Sequence, residues 1–378
     1  MKPNHYDFID ALRGYAILLV MAVHASQAAP DWVGVGRLIV DQGARGVQLF
    51  FVASALTLAL SWTARRDGAL PFYIRRVMRI APMFWLGIVF FLWLYGFGPR
   101  HFAPDGIDGV DVVLTALFLH GWHPESITSV VPGGWSIAVE MTFYLLFPLL
   151  VFLVRGWISA LVALLVTSVL GNAALGAIWY LRSSLWPQLS DDLVSNFVSL
   201  WFPTQLPVFI VGLLVYFAIR DFTGRLSLTA LRILLLASIA CMLVLALHPL
   251  PIRQFGITSF TAYGLCFGTL AFCLSQGAGA WLVNAPVRYL GKISFSAYLW
   301  HFAVLGTIGY SFHGFTPLQH MTDGRGPLLF LQIFAYVIVT TSILSSITYR
   351  LIERPMVRAG NRLIDRIRPA QLGATAQA

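Results

Sequence analysis

Long apolar runs separated by short polar connections dominate the chain, and they set its architecture. The runs lie at 11–28, 44–62, 80–98, 134–154, 157–181, 197–219, 229–248, 257–275, 290–312 and 327–349. A bilayer crossing takes about 20 apolar residues, so this spacing predicts about ten transmembrane helices joined by short loops. An eleventh stretch, 110–122, is too short to cross and is expected to lie as a re-entrant or interfacial piece on the outer side. Tyr15 to Val23, with small residues up to Ala29, has the look of a secretory leader. Asp7 and Asp10 nevertheless cancel Lys2 and Arg13, whereas a leader starts net positive, so the first run is read as a span.

Composition agrees. Of 378 residues, 58% are hydrophobic and 11% charged, with a mean hydropathy of +0.76, which excludes an ordinary soluble enzyme. The expected fold class is an all-α polytopic membrane protein. One integral-membrane domain covers 1–357, followed by a basic, flexible cytoplasmic tail over 358–378. The net charge of +9 comes mostly from arginines that flank apolar runs, so it reports topology, and no nucleic-acid partner is expected. Lys2 and Arg13, then Arg65, Arg66, Arg75, Arg76 and Arg79, then Arg155, Arg220, Arg225, Arg288, Lys292 and the tail fall on one side of a ten-span topology. Asp31, Asp41, Asp105, Asp108, Asp191, Asp192 and Asp323 fall on the other. Both termini are therefore expected in the cytoplasm. Cys241, Cys266 and Cys273 lie inside apolar runs and fit neither a disulfide framework nor a metal site; packing is their expected role, and no metal is expected.

Ionisable groups at membrane depth are costly, and each is a functional hypothesis. Arg13 and His24 are eleven residues apart, which at about 100° per residue is within about 20° of three full turns, so both share one helix face about 16 Å apart. Asp10 is spaced to pair with Arg13. A snorkelling arginine and a hydrogen-bonded interior histidine would also explain the two positions. Ser136, Glu140 and Tyr144, at i, i+4 and i+8, draw a polar stripe on an apolar span. There Glu140 can exchange a proton or orient a hydroxyl, or serve as a structural hydrogen-bond partner. Ser294, Tyr298 and His301 draw a second inward stripe. Arg75, Arg76 and Arg79 open the third run, where clustered guanidinium groups suit bidentate phosphate binding or plain anchoring on the positive side.

Taken in order, six blocks resemble the membrane-bound acyltransferase-3 family over nearly the whole chain: Asp10-Ala11-Leu12-Arg13-Gly14 through His24; GVQLFFVASAL at 46–56; RRVMRIAP at 75–82; GGWSIAVEMTFYLLFP at 133–148; SFSAYLWH at 294–301; and IERP at 352–355. The form resembled is the one without a fused soluble hydrolase-like domain. The resemblance implies bacterial inner-membrane proteins of about ten helices that take acyl groups, usually acetyl, from cytoplasmic acyl-CoA to an acceptor hydroxyl. It implies essential Arg13 and His24, an Arg-x-x-Arg element at Arg76 and Arg79, and an intramembrane carboxylate at Glu140. The expected partners are acyl-CoA as donor substrate, a carbohydrate acceptor in a surface or exported polysaccharide or glycolipid, the bilayer, and polysaccharide-assembly proteins. No cofactor is expected to be held permanently. His24 is expected to act as base or acyl carrier, with Glu140 orienting the acceptor or the imidazole and Arg75, Arg76 and Arg79 holding the coenzyme A phosphates. Two departures stand out: Gln48 replaces an acidic residue and Ala55 a glycine of the family pattern, while Ser54 is retained. A transporter or flippase using His24 and Glu140 as a proton relay is the competing reading of the same buried charges.

Overall fold

Backbone polar groups in hydrocarbon must be satisfied within their own segment, and this chain satisfies them as helices. The computed structural model describes residues 6–29, 32–248, 257–309 and 326–375, and within them the only β-type pairing is an isolated bridge between Arg100 and Ala103. The helices are α1 (Asp7–Gln27), α2 (Val35–Asp41), α3 (Gly46–Arg65), α4 (Ala69–Tyr95), α5 (Gly109–Ala116), α6 (Trp135–Leu153), α7 (Trp157–Leu185) and α8 (Asp191–Leu200). They continue as α9 (Phe202–Phe222), α10 (Leu228–Leu247), α11 (Ser259–Ser275), α12 (Ala285–Lys292), α13 (Ser294–Gly306), α14 (Gly326–Thr348) and α15 (Arg354–Thr375). A π-helical turn, Tyr349–Glu353, joins the last two.

Among the described residues, 8 continuous helical runs are long and apolar enough to cross a membrane. The protein is therefore an all-α, multi-pass membrane protein. Two of the apolar runs give shorter helices than expected, α11 with 17 residues and α13 with 13. Their outer ends run toward 249–256 and 310–325, outside the described residues; Lys2, Asp31 and Asp323 also lie there. Nearly all of α13 is buried among other helices, so it has no lipid boundary to match.

Two boundaries differ instructively from the sequence pattern, while the 110–122 stretch follows it. α4 starts at Ala69 instead of near residue 80, because arginines are good helix formers and carry the helix below the apolar run. Its 27 residues make a rod about 40 Å long, about 10 Å more than the hydrocarbon core, so Arg75, Arg76 and Arg79 sit on the helix rather than ahead of it. The 110–122 stretch gives only the 8-residue α5, which a reciprocal Asp108–Asp111 capping box opens, then a 3-10 turn at His120–Trp122; it does not cross. The segment assigned by sequence to a flexible tail begins as ordered helix, with Gly360 of α15 against the Met78 side chain of α4. Of the cysteines, Cys266 and Cys273 are buried and Cys241 is exposed.

Helix α1 is central and packs against α3, α12, α13 and α14. The crossing spans of α7 and α10 are peripheral, with only 11% and 17% of their apolar windows buried, against 61% for α1. The α1–α12 contact is backbone to backbone: a Cβ on Gly291 would lie 1.8 Å from the Asp10 carbonyl oxygen, and one on Gly14 2.0 Å from that of Val287. A similar approach joins α3 to α9, where a Cβ on Gly212 would meet Ala55 at 2.7 Å. The glycine that the family pattern puts at 55 is thus matched by a glycine on the facing helix. Phe209 of α9 stacks between Phe51 of α3 at 4.4 Å and Phe143 of α6 at 4.1 Å, tying these three helices into one core.

The closeness at Gly291 predicts that Gly291→Ala destabilises the protein by about 3 kcal/mol, since the facing atom is backbone and cannot turn aside. Thermal unfolding in detergent should show the loss, while Gly176→Ala, with open space around its Cβ position, should be neutral or slightly stabilising.

Candidate active site

Two cavities are stacked along α1, each holding one of its two ionisable residues. The first, about 60 Å³, is a narrow cleft into which Arg13, Arg76, Arg79 and Glu140 project, with Ser54, Ser136, Tyr144, Ser294 and Tyr298 on its walls. The second, about 810 Å³, is lined by His24 and Gln27 from α1, Arg45 and Gln48 from the start of α3, and the aromatic rings of Trp135, Phe260 and Phe302. Val47 and Tyr298 line both and so form the wall between them. The shared helix face of Arg13 and His24 therefore opens into two chambers rather than one cleft.

In the arginine cavity, three guanidinium groups face one lining carboxylate. Glu140 is held by two hydroxyls: Ser54 Oγ donates to its Oε1 at 2.6 Å, and the Tyr144 hydroxyl, one turn along α6, donates to the same oxygen. Arg13 Nη2 donates to Thr57 Oγ1 at 3.0 Å, and that hydroxyl donates to the Ala53 carbonyl at 2.6 Å. Asp10 is within electrostatic reach of Arg13, as the three-residue spacing requires. Arg76 lies over the rings of Tyr144 at 5.8 Å and Phe72 at 6.0 Å, and its buried Nε has no hydrogen-bond acceptor among the described residues. Behind Arg79 stands Glu353, 3% exposed, whose Oε2 accepts from Ser296 Oγ at 3.0 Å and whose charge bears on Arg79 and Arg13.

Arg75, expected beside Arg76 and Arg79, is elsewhere. Both its terminal nitrogens are forked on Asp67, at 2.7 and 2.8 Å, and it does not line the cavity. Neighbours on a helix point about 100° apart, whereas residues three apart share a face. Arg76 and Arg79 thus enter together and Arg75 is turned away.

The polar stripe of α6 meets that of α13 at the dividing wall. Ser136 Oγ donates to the Tyr298 hydroxyl at 2.8 Å, which donates to the Gly133 carbonyl at 3.0 Å. Gly133 has φ of +72°, and a Cβ there would press on the Tyr298 hydroxyl at 3.1 Å, so only glycine serves both the turn and the approach. His301, fully buried, directs Nδ1 to the Tyr298 carbonyl at 2.7 Å, with its ring 5.4 Å from that of His24.

His24 Nδ1 faces Gln27 Oε1 at 2.8 Å, and its ring packs 4.5 Å from that of Phe302. In the tautomer that donates from Nδ1 to this amide oxygen, Nε2 is the basic nitrogen. Glu140, expected to orient the acceptor or the imidazole, engages Ser54 and Tyr144 in the other cavity, and Gln27 is the side chain that meets the imidazole here. Gln48 Nε2 donates to Gln205 Oε1 at 2.9 Å, a neutral amide pair at the position where the family pattern is acidic. Among the described residues no cluster of three His, Cys, Asp or Glu residues could hold a metal ion. Ser54, Thr57, Gln27, Arg45 and Glu353 had no role assigned from sequence.

The acyltransferase-domain family model, Acyl_transf_3, matches residues 6–349. The chain is 28% identical to the acyltransferase MdmB of Streptomyces mycarofaciens over 96% of its length and 93% of that protein. It is 23% identical to the peptidoglycan O-acetyltransferase OatA of Listeria monocytogenes, over 93% of this chain and 56% of that one. The O-acetyltransferase OatA of Staphylococcus aureus matches at 22% over 95% of this chain and 58% of its own, so the chain spans little more than half the length of either OatA. No solved structure matches.

Removing the buried Glu353 carboxylate leaves Ser296 without its acceptor and takes an acidic group from the neighbourhood of Arg79. Glu353→Ala is expected to cost about 3 kcal/mol of stability, read as a lower thermal midpoint in detergent, while Glu353→Gln, which can still accept from Ser296, should lose less.

Proposed function

The chain belongs to the Acyl_transf_3 acyltransferase family, and on that premise we propose that it is a membrane O-acyltransferase moving an acyl group, acetyl foremost, from acyl-CoA at the cytoplasmic face to a saccharide hydroxyl on the other side. The observation that carries this reading is the pair of cavities on one helix, three arginines in one and a histidine in the other, divided by a single layer of side chains at Tyr298 and Val47.

Coenzyme A brings phosphates, a thin pantetheine arm and a thioester. Arg76 and Arg79 take the phosphates, with charge-assisted bonds that outweigh their hydration once buried. Arg13, one layer deeper and fixed by Thr57, is placed nearer the thioester. Glu140 and Glu353 limit the repulsion among the three cations before the donor arrives. The arm leads the acyl group to the dividing wall, where the acceptor hydroxyl meets it from the histidine cavity.

In the transfer itself, the acceptor oxygen attacks the thioester carbonyl while its proton passes to His24 Nε2. Collapse of the tetrahedral intermediate breaks the C–S bond, and the thiolate leaves with the proton returned by the imidazolium. Gln27 holds the ring in the required tautomer throughout. Such a layout moves an acyl group across the bilayer with the nucleotide staying behind. This reading also sets both termini in the cytoplasm of a bacterium, in agreement with the distribution of arginine along the loops.

His24→Ala is expected to lower transfer by about 1,000-fold with acetyl-CoA affinity retained, in keeping with loss of a general base. Arg76→Ala should instead weaken acetyl-CoA binding by about tenfold or more. Radiolabelled acetyl-CoA with the purified protein in nanodiscs reads both; a wild-type protein that neither binds nor turns over acetyl-CoA or succinyl-CoA would overturn the assignment.

A further inference from the structure

The histidine cavity has an unbalanced charge. Its described lining contains arginines and histidines but no aspartate or glutamate. Two of its basic side chains have carboxylates just outside the lining. Arg37 Nε is shared between the two carboxylate oxygens of Asp41 at 2.7 and 2.9 Å, and His101 faces Asp192 at 3.5 Å. Arg45 has no ion pair and no hydrogen bond among the described residues, and its Nε is buried. Two aromatic rings hold its guanidinium instead, Phe260 at 4.6 Å and Tyr263 at 5.7 Å. Ring faces steady a planar cation, but they accept nothing from its N–H edge.

The unmet hydrogen-bonding groups gather in the same place. Asn196 Nδ2 and Thr128 Oγ1, both on the wall of this cavity, are likewise buried without partners among the described residues. Gln48, also on the wall, is fixed by Gln205, whose Nε2 donates in turn to the Ser199 carbonyl at 2.8 Å, so the neutral amide supplies no balancing charge. Arg45 is partly buried on the cavity wall with neither a counterion nor an acceptor among the described residues, and a ligand oxyanion in the cavity supplies both.

We propose that Arg45, which lines the same chamber as Asn196 and Thr128, is an oxyanion subsite of the histidine cavity, and that the acceptor is a saccharide bearing a carboxylate or a phosphate as well as the hydroxyl to be acylated. The word acceptor rests on the acyltransferase reading, while the subsite stands on the cavity alone. Because His24 lines the same chamber, anchoring the anion on Arg45 restricts which hydroxyl of the bound sugar reaches the basic nitrogen. Arg45 is accordingly a binding and specificity residue with no part in the proton transfer.

The test is equilibrium binding of one neutral and two anionic glucose-type probes, methyl glucoside, methyl glucuronide and glucose 1-phosphate, to the full chain in nanodiscs. At least one anionic probe is expected to bind about tenfold more tightly than the neutral one, with the advantage shrinking as salt rises. The carboxylate and phosphate arms tell which oxyanion the site takes. Arg45→Gln should reduce the advantage to within about twofold, and Arg45→Lys should keep part of it, since a point charge replaces the planar fork. Gln48→Glu, which puts a carboxylate into the same cavity, should erase it without touching Arg45; a cooperative thermal transition confirms that each variant is folded. Anionic probes that bind wild type no better than methyl glucoside, or a preference that survives Arg45→Gln, would overturn the subsite. Anion preference without any turnover of acetyl-CoA would overturn the transferase reading and leave the subsite standing.

Discussion

Three guanidinium groups held inside an apolar helical bundle are the constraint around which the rest is arranged. A charge at membrane depth is costly unless it is paired or faces a polar chamber, and Arg13, Arg76 and Arg79 face a chamber that Glu140 also lines. Glu140 comes from α6, Glu353 from the π-helical turn after α14, and the hydroxyl of Thr57 from α3. These elements are far apart in sequence and meet only because the cations need them. The approach of α12 to α1, made through glycine, brings the helix ends close enough for the same cluster to be closed off from lipid.

The chamber on the far side of Tyr298 has a different character. Its walls are aromatic and amide-rich, its volume is an order larger, and its histidine is oriented by a neutral partner. The proposed donor, thin and anionic, and the proposed acceptor, bulky and hydroxylated, would make opposite demands on a site, and the two chambers differ in size and lining in the same sense. The peripheral helices α7 and α10 take no part in either; they present leucine and valine to lipid and close the bundle.

Much of this was legible in the sequence. Helical spacing alone put Ser136, Glu140 and Tyr144 on one face, and that face does line the arginine cavity. It also separated Arg76 and Arg79 from Arg75, although charge clustering argued for taking all three together. What periodicity cannot supply is the partner on another helix. Ser54 and Glu353 stand inside quoted motif blocks, yet nothing in their own helices says that one holds Glu140 and the other backs Arg79. Gln27 is the exception, three residues after His24 on the same helix, where the contact was open to the same argument that paired Asp10 with Arg13. The division into two cavities was hidden for a related reason: a shared helix face gives direction, and a wall contributed by α13 decides whether that face opens once or twice.

The thinness of that wall has a cost for the cell as well as a use. With water in both chambers on the proposed reading, the bilayer's insulation would come down locally to the side chains around Tyr298 and Val47, which line both. A membrane potential of about 100 mV amounts to about 2.3 kcal/mol for each elementary charge that crosses, and it drops mainly over the least conducting layer. The field is therefore concentrated on a tyrosine hydroxyl pinned between Ser136 and the Gly133 carbonyl. On the proposed transfer, a ring kept fixed there would hold protons back at the place where the acyl group has to pass.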